Sequence, residues 1–442
     1  MVGLFCFMHK QLLKLAVPNV LTNLSVPLVS MVDLGLMGRM PSASYILAIG
    51  FGTMLFNFLY WAFGFLRMGT TGMVSQAFGR GEKEEAQELL RKGLLIALIG
   101  GLALIILQVP LLNLALYIIE PDQGVIEPLK QYFQIRIYAA PATISIYVVT
   151  GWLLGMQDAR SALFLALIVN GFNAAISYCL VAFAEMGIAG VALGTLSAQI
   201  LGIFAAAGLI LFKHEVNLLA VLKKSTMPKK GWLDFVKVNS NILIRTLCLI
   251  FVMSFFKTKA GNIDPILGAA NMLLIEFITI SAYGIDGFAF AAESLTGKYF
   301  GKAKKALFEK SLKVSMLWGI GIALLISIVF WFSGEAILAL LTDKRAVIKA
   351  ALPYFPWLIA APLVNALAFI WDGIYVGTTA SVAMRNAMIL ATLLIFLPSF
   401  YLAKPFLFNH GVWLAFTLFM LSRGVILTLM AKRHIYARLE PN

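Results

Sequence analysis

Asp33 is the only acidic residue among the first 81 of this chain. It sits in Ser30-Met-Val-Asp33-Leu-Gly-Leu-Met-Gly38, near the end of an apolar stretch that begins around Leu12. A carboxylate inside a hydrocarbon-spanning helix costs roughly 2.5–3.5 kcal/mol on insertion scales, so it usually faces a partner or a water-filled cavity. About twenty residues at 1.5 Å each also cover one bilayer core, so a position at the helix end, among the headgroups, is the other reading. The chemistry open to a buried carboxylate here is reversible binding of a proton or a cation.

Other polar residues fall inside apolar stretches. In Val169-Asn170-Gly-Phe-Asn173-Ala-Ala-Ile-Ser177, Asn173 and Ser177 are spaced i, i+4, with Asn170 three residues before Asn173 on the same helix face. Thr195 and Ser197 follow in the next apolar stretch. Asp33, Asn170, Asn173, Ser177 and Thr195 can thus line one polar pocket; the alternative is hydrogen bonding between helices, worth about 0.6 kcal/mol per bond. The second half of the chain carries Asn241, Arg245, Asn271, Glu276, Asp286, Glu293, Asn365 and Asp372. Glu293 follows Asp286 by seven residues and falls on nearly the same face, and Arg245 is expected to pair with one of the acids of this set. These groups suit substrate contact or structural ion pairing alike. Pro18 and Pro27 each remove a backbone donor and mark expected bends before Asp33.

Soluble catalytic machinery is missing. There is no Walker A sequence, GxSxG, HExxH or GxGxxG, and His9, His214, His410 and His434 are scattered at segment ends. Cys6, Cys179 and Cys248 have neither disulfide nor zinc spacing. The chain is not expected to be an enzyme, and it needs no cofactor beyond a coupling ion. Without a nucleotide site, any transport by this chain would have to draw on an ion gradient or run downhill.

The elements that carry these residues are membrane helices. The chain is 61% hydrophobic and 13% charged, against about 45–50% and about 25% for soluble domains. Mean hydropathy is +0.89. Twelve apolar segments fall near 12–36, 43–68, 92–118, 131–154, 161–184, 188–212, 233–257, 264–292, 312–341, 351–377, 385–404 and 409–431. Their length fits helices and not barrel strands. The net charge of +14 is not a nucleic-acid footprint, because basic residues gather in alternate loops: Arg80 to Lys92, Lys213 to Lys230, Lys298 to Lys310, and Lys432 to Arg438. Thr342-Asp-Lys-Arg345 is the main exception. The positive-inside rule then puts both termini in the cytoplasm, and no cleavable signal peptide is read at the start.

The chain repeats itself at an offset of 222: Ala77-Phe78-Gly79-Arg80-Gly81 realigns with Tyr299-Phe300-Gly301-Lys302-Ala303, Gly151 and Gly155 with Gly373 and Gly377, and Pro18-Asn19-Val20-Leu21 with Ser240-Asn241-Ile242-Leu243. The expected fold is an all-α polytopic membrane protein with an N-lobe over 1–212, a cytoplasmic linker over 213–231 and a C-lobe over 232–442. Each lobe has six helices, and an even number gives the two the same topology about an axis along the membrane normal.

Specific motifs resemble the multidrug and toxic compound extrusion (MATE) family, and most closely its DinF-like branch. They are Val32-Asp33-Leu-Gly-Leu-Met-Gly38, Phe65-Leu-Arg-Met-Gly-Thr-Thr-Gly-Met-Val-Ser-Gln-Ala-Phe-Gly79, Trp152-Leu-Leu-Gly-Met-Gln-Asp-Ala-Arg160, Asp286-Gly-Phe-Ala-Phe-Ala-Ala-Glu293, Trp371-Asp-Gly-Ile-Tyr-Val-Gly377 and Met384-Arg-Asn-Ala-Met388. The resemblance implies twelve helices in a V-shaped pair of lobes, and antiport that exports small organic, often cationic or amphipathic compounds against entry of H+ or Na+. It implies a multi-pass protein of the inner (cytoplasmic) membrane, here read as a monomer with no nucleic-acid partner. It assigns ion coupling to Asp33, in a pocket whose other positions match Asn173 and Thr195. Ser177 stands where relatives often carry a second aspartate, and Asn241 where they often carry an acid. A single carboxylate suits a proton, because protonation removes the buried charge; H+ is therefore favoured over Na+, for which oxygen ligands remain. A lipid-linked oligosaccharide flippase is the alternative within the superfamily, and a channel or scaffold the alternative outside it.

Overall fold

A computed structural model describes residues 2–38, 43–216 and 229–439. Most of the expected linker, with Lys223 and Lys224, lies outside the described residues. The described residues are almost wholly helical, and eleven helical stretches are long and apolar enough to cross a membrane. The last of these, Ser381–Arg438, is 58 residues long, nearly three times the roughly 20 that one crossing needs. It turns back at Phe408, whose φ of 48° breaks the helix, and so supplies the eleventh and twelfth crossings.

The helices are α1 (Val2–Met37), α2 (Ala43–Ala62), α3 (Gly64–Arg80), α4 (Lys83–Ile106), α5 (Gln108–Ile119), α6 (Gln123–Arg136), α7 (Ala140–Gly155), α8 (Ala159–Ala182) and α9 (Gly187–Gly208). After the linker come α10 (Lys229–Gly261), α11 (Pro265–Gly301), α12 (Lys305–Leu338), α13 (Arg345–Ala351), α14 (Phe355–Gly377), α15 (Ser381–Leu390) and α16 (Leu397–His434). Several apolar segments read from sequence turn out to be two helices. Segment 92–118 breaks between Ile106 and Gln108, because the ring of Pro110 clashes with the carbonyl four residues back, that of Ile106. Segment 131–154 breaks at a 3₁₀ turn, Ile137–Ala139, just before Pro141. The tenth crossing repeats this plan, with a 3₁₀ turn at Leu352–Tyr354 before Pro356. Segment 43–68 is too short: α3 carries the helix on to Arg80. Its polar Thr70, Thr71 and Ser75 are buried, so hydropathy underestimates it. Pro18 and Pro27 lie inside α1, which stays helical through both.

The chain forms two compact units. One comprises Met1–Val20, Ser75–Gly81 and Lys237–Asn442; the other comprises Leu21–Val74 and Glu82–Val236. The lobes read from sequence and these units differ at Met1–Val20, at Ser75–Gly81 and at 232–236. Within the first unit Tyr299 Oη donates to Gln11 Oε1 at 2.7 Å and Trp318 Nε1 to His9 Nδ1 at 2.8 Å. These bonds fasten the start of α1 to α11 and α12. Where α3 meets α11, the 222-residue repeat becomes geometry. A Cβ on Gly79 would run into the Lys298 backbone, and one on Gly301 into the Gln76 backbone. Gln76 and Lys298 are themselves repeat equivalents, as are Gly79 and Gly301. Ser75 meets its own equivalent, Gly297. Reciprocal pairs around a self-pair mark a local two-fold axis.

Glycine is required at this crossing because the helix backbones touch. Gly301→Val should destabilise by about 1–3 kcal/mol, as overpacking does, and lower the apparent Tm in detergent. Gly50→Ala, where nothing lies within 4 Å, should leave Tm unchanged or slightly raised.

Candidate functional site

In the unit that contains Leu21–Val74 and Glu82–Val236, the polar residues of α8 and α9 come together. Ser177 Oγ donates to Asn173 Oδ1 at 3.3 Å, Asn173 Nδ2 to Thr195 Oγ1 at 3.1 Å, and Thr195 Oγ1 to the Val191 carbonyl at 3.1 Å. Gly194 allows this, since a Cβ there would meet Ser177. Asn170 points elsewhere and donates to Ser25 Oγ of α1 at 2.7 Å. The expected set therefore divides: Asn173, Ser177 and Thr195 form one chain, and Asn170 belongs to an α1–α8 bond.

Asp33 joins neither group by hydrogen bond. It is 7% exposed, and its Oδ1 is buried without a hydrogen-bond partner. Its electrostatic partner is Arg136, at the end of α6. Arg136 Nη1 donates to Tyr132 Oη, and the guanidinium lies over Phe56 at 4.8 Å and Tyr132 at 5.3 Å from the ring centroids. Phe56 stacks on Phe133 at 5.1 Å. Gly52 leaves room for the Tyr132 ring, which a Cβ would strike. Sequence reasoning missed Arg136, although an arginine inside segment 131–154 is as costly in a membrane as Asp33.

The other unit has its own charged cluster. Arg245 of α10 and Arg423 of α16 both pair with Asp372 Oδ2 of α14. Arg423 is 1% exposed, and Asp286 acts on it electrostatically. Arg245 pairs with an acid of this half, as expected, and the acid is Asp372, because α14 brings that carboxylate to α10. Arg423 was not anticipated, and its position inside segment 409–431 was the available signal. Asn271 donates to the Ala260 carbonyl at 2.7 Å, exchanges two 2.9 Å bonds with Asn409, and accepts from Trp413 Nε1 at 2.9 Å. Its hydrogen bonding is satisfied, so it acts as a tie between helices. Glu293 is buried, Asn365 is buried and Glu276 is exposed. Asn241 donates to Ser381 and accepts from Arg385.

At the start of α8, Asp158 accepts from Lys213 at 2.8 Å, from His214 at 3.1 Å, and from Ser161. Burial raises the carboxyl's pKa, but these hydrogen bonds outweigh burial and hold it well below the usual carboxylate range. A depressed folded pKa contributes stability above the unfolded value of about 3.9, which is lost only as pH falls through the folded one. Asp158 therefore does not titrate near neutrality.

One family model, MatE, matches the chain twice, over residues 18–179 and 243–402. The chain belongs to the MatE family. Two matches to one model, one in each half, are the internal repeat again. The DNA damage-inducible protein F of Escherichia coli K12 is 31% identical over 96% of this chain and 92% of its own length. A probable multidrug resistance protein NorM from Rhizobium meliloti is 25% identical over 94% and 91%. A solved structure of MATE in the straight conformation superposes with a TM-score of 0.86 at 18% identity, covering 98% of this chain and 97% of that one. A transporter of the MOP superfamily from Pyrococcus furiosus, described as having a binding pocket of reverse polarity that suggests a different function, reaches 0.87 at 16% identity over the same shares. This MatE protein is a multi-pass membrane transporter and not an enzyme, and the twelve-helix fold expected from sequence is the one it has.

Two outcomes follow for the clusters. Asp372→Asn leaves two buried guanidiniums without their shared carboxylate and should cost about 3–5 kcal/mol, seen as a lower Tm or loss of monodisperse protein in detergent. Asp158→Asn should be less stable than wild type at pH 7, and the gap should close only in strong acid, below the ordinary carboxylate range.

Proposed function

We propose that this MatE protein exports small organic, cationic or amphipathic compounds by antiport, driven by inward movement of H+ in preference to Na+, with Asp33 as the coupling residue. The observation that carries the reading is the buried Asp33 Oδ1 with no hydrogen-bond partner. A group held in apolar surroundings without a bond has strong reason to take a proton, which removes its charge. Names among the relatives support the cargo class: NorM of Rhizobium meliloti is a probable multidrug resistance protein.

The carrier works by alternating access. Ion and substrate favour different states, since a ligand with equal affinity for both shifts neither. In the outward-open state a proton on Asp33 lowers the affinity for substrate, which leaves, and the reset carrier opens to the cytoplasm. Asn173, Ser177 and Thr195 form the polar wall of the N-terminal half, with Asn170 tying α8 to α1. Pro18 and Pro27 are the points at which α1 bends during the cycle. In support, the boundary between the compact units on that helix, Val20 to Leu21, falls between the two prolines. Arg245, Asn271, Glu276, Asp286, Glu293 and Asp372 act as the framework of the C-terminal half and as candidates for substrate contact. The protein sits in the inner membrane as a monomer with both termini cytoplasmic, following the basic loops.

The test is efflux of ethidium from proteoliposomes under separately imposed pH and Na+ gradients, with wild type beside Asp33→Asn. Efflux driven by the pH gradient in wild type and at background in the variant is the expected result. Efflux that needs only Na+ would replace the ion while keeping Asp33, and wild-type efflux by Asp33→Asn would remove Asp33 from the mechanism.

A further inference from the structure

We propose that Arg136 is the built-in counter-cation of Asp33 and thereby selects the coupling ion: the site takes a proton and turns Na+ away, and protonation of Asp33 leaves an uncompensated guanidinium that expels a cationic substrate. This rests on the reading of Asp33 as the coupling residue and adds to it the reason for the ion and the force that releases the cargo.

The geometry is that of a cation held near a carboxylate without being bonded to it. Asp33 Oδ1 and Arg136 Nε are both buried and both lack a hydrogen-bond partner, while the two side chains interact electrostatically. Arg136 is held by Tyr132 Oη and by the faces of Phe56 and Tyr132. Tyr132 is fully buried and also lies in the field of Asp33. Arg136 therefore stays in place when the charge on Asp33 changes. A direct ion pair would consume the carboxylate, whereas a pinned neighbour only biases it.

The surrounding charges are few. Tyr60 of α2 and Tyr147 of α7 lie within electrostatic reach of Arg136, and Arg67 of α3 acts on Tyr147. α8 and α9 present the neutral Asn170, Asn173, Ser177 and Thr195, and α8 has a charge only at Arg160 in its first turn. With Asp33 ionised, the Asp33–Arg136 pair is neutral and a cationic substrate meets a carboxylate. With Asp33 protonated the pair carries +1, because a guanidinium keeps its charge. Like charges repel most strongly where water is excluded. Arg136 opposes a positive charge at Asp33 whether it arrives as H+ or as Na+; the two differ because a bound proton needs no further ligand, whereas Na+ needs several oxygens and the guanidinium beside it offers only donors.

The experiment is the same ethidium assay on Arg136→Gln, Arg136→Lys, Tyr132→Phe and Asp33→Asn, recording the pH profile and the response to a Na+ gradient. Arg136→Gln should gain Na+-driven efflux about tenfold above wild type, a change of about 1.4 kcal/mol, and its pH profile should shift. Arg136→Lys should restore the wild-type ion preference. If Arg136→Gln is not recovered folded, Tyr132→Phe removes the acceptor but keeps the ring, and should show the same changes at smaller amplitude. An unchanged pH profile and no Na+ response in Arg136→Gln, or in Tyr132→Phe where that variant stands in, overturn the proposal. With Asp33→Asn inactive, that result leaves the coupling role of Asp33 standing. Wild-type efflux driven by Na+ alone also overturns the proposal, and wild-type efflux by Asp33→Asn removes it together with the reading beneath it.

Discussion

The cost of a bare charge in hydrocarbon governs this protein. A chain that is 61% hydrophobic cannot solvate ions inside the bilayer, so each one must be matched within the fold. The two units meet that demand differently. Around Asp372 the match is direct: one carboxylate lies against Arg245 and Arg423. Such a cluster is structural in character, because taking away any member strands the others. Around Asp33 the match is loose, with an opposing charge nearby and a carboxylate oxygen left without a bond. A loosely matched charge is the one that can change its protonation state without dismantling its surroundings.

The second constraint is the close approach of helices. Without a hydrophobic drive between helices in lipid, packing depends on small residues that let backbones meet. Gly79, Gly297 and Gly301 do this where α3 crosses α11. Gly151 against the Arg67 backbone and Gly373 against the Ala289 backbone do it at positions exactly one repeat apart. The repeat is thus preserved in steric requirements, while the polar residues laid on it have diverged.

Fold class, number of crossings and the repeat were legible in the sequence because they depend on length, hydropathy and spacing. Helix breaks were less so. Pro110 and Pro141 were visible, but a proline inside an apolar run either bends a helix or ends it, and neighbouring packing decides which; Pro18 and Pro27, by contrast, interrupt nothing. Of the site, the chain Asn173, Ser177 and Thr195 followed from i, i+4 spacing. Arg136 and Arg423 were legible only as arginines inside apolar segments, which carry the same penalty as an acid there. The partner of Arg245 was beyond sequence reasoning, since α10, α14 and α16 are brought together by packing and not by spacing.

The first helix has a consequence for biosynthesis. Residues His9 and Gln11 are among the earliest made, yet their partners, Trp318 and Tyr299, lie about three hundred residues later. A chain emerging from the ribosome inserts its first helix long before half of that helix has anything to pack against. The N-terminal half expressed alone would hold Met1–Val20 and Ser75–Gly81 without the body they belong to. Gene fragments cut at the linker are therefore not two independent folding units, and assembly of this carrier is completed only when its last helices have been inserted.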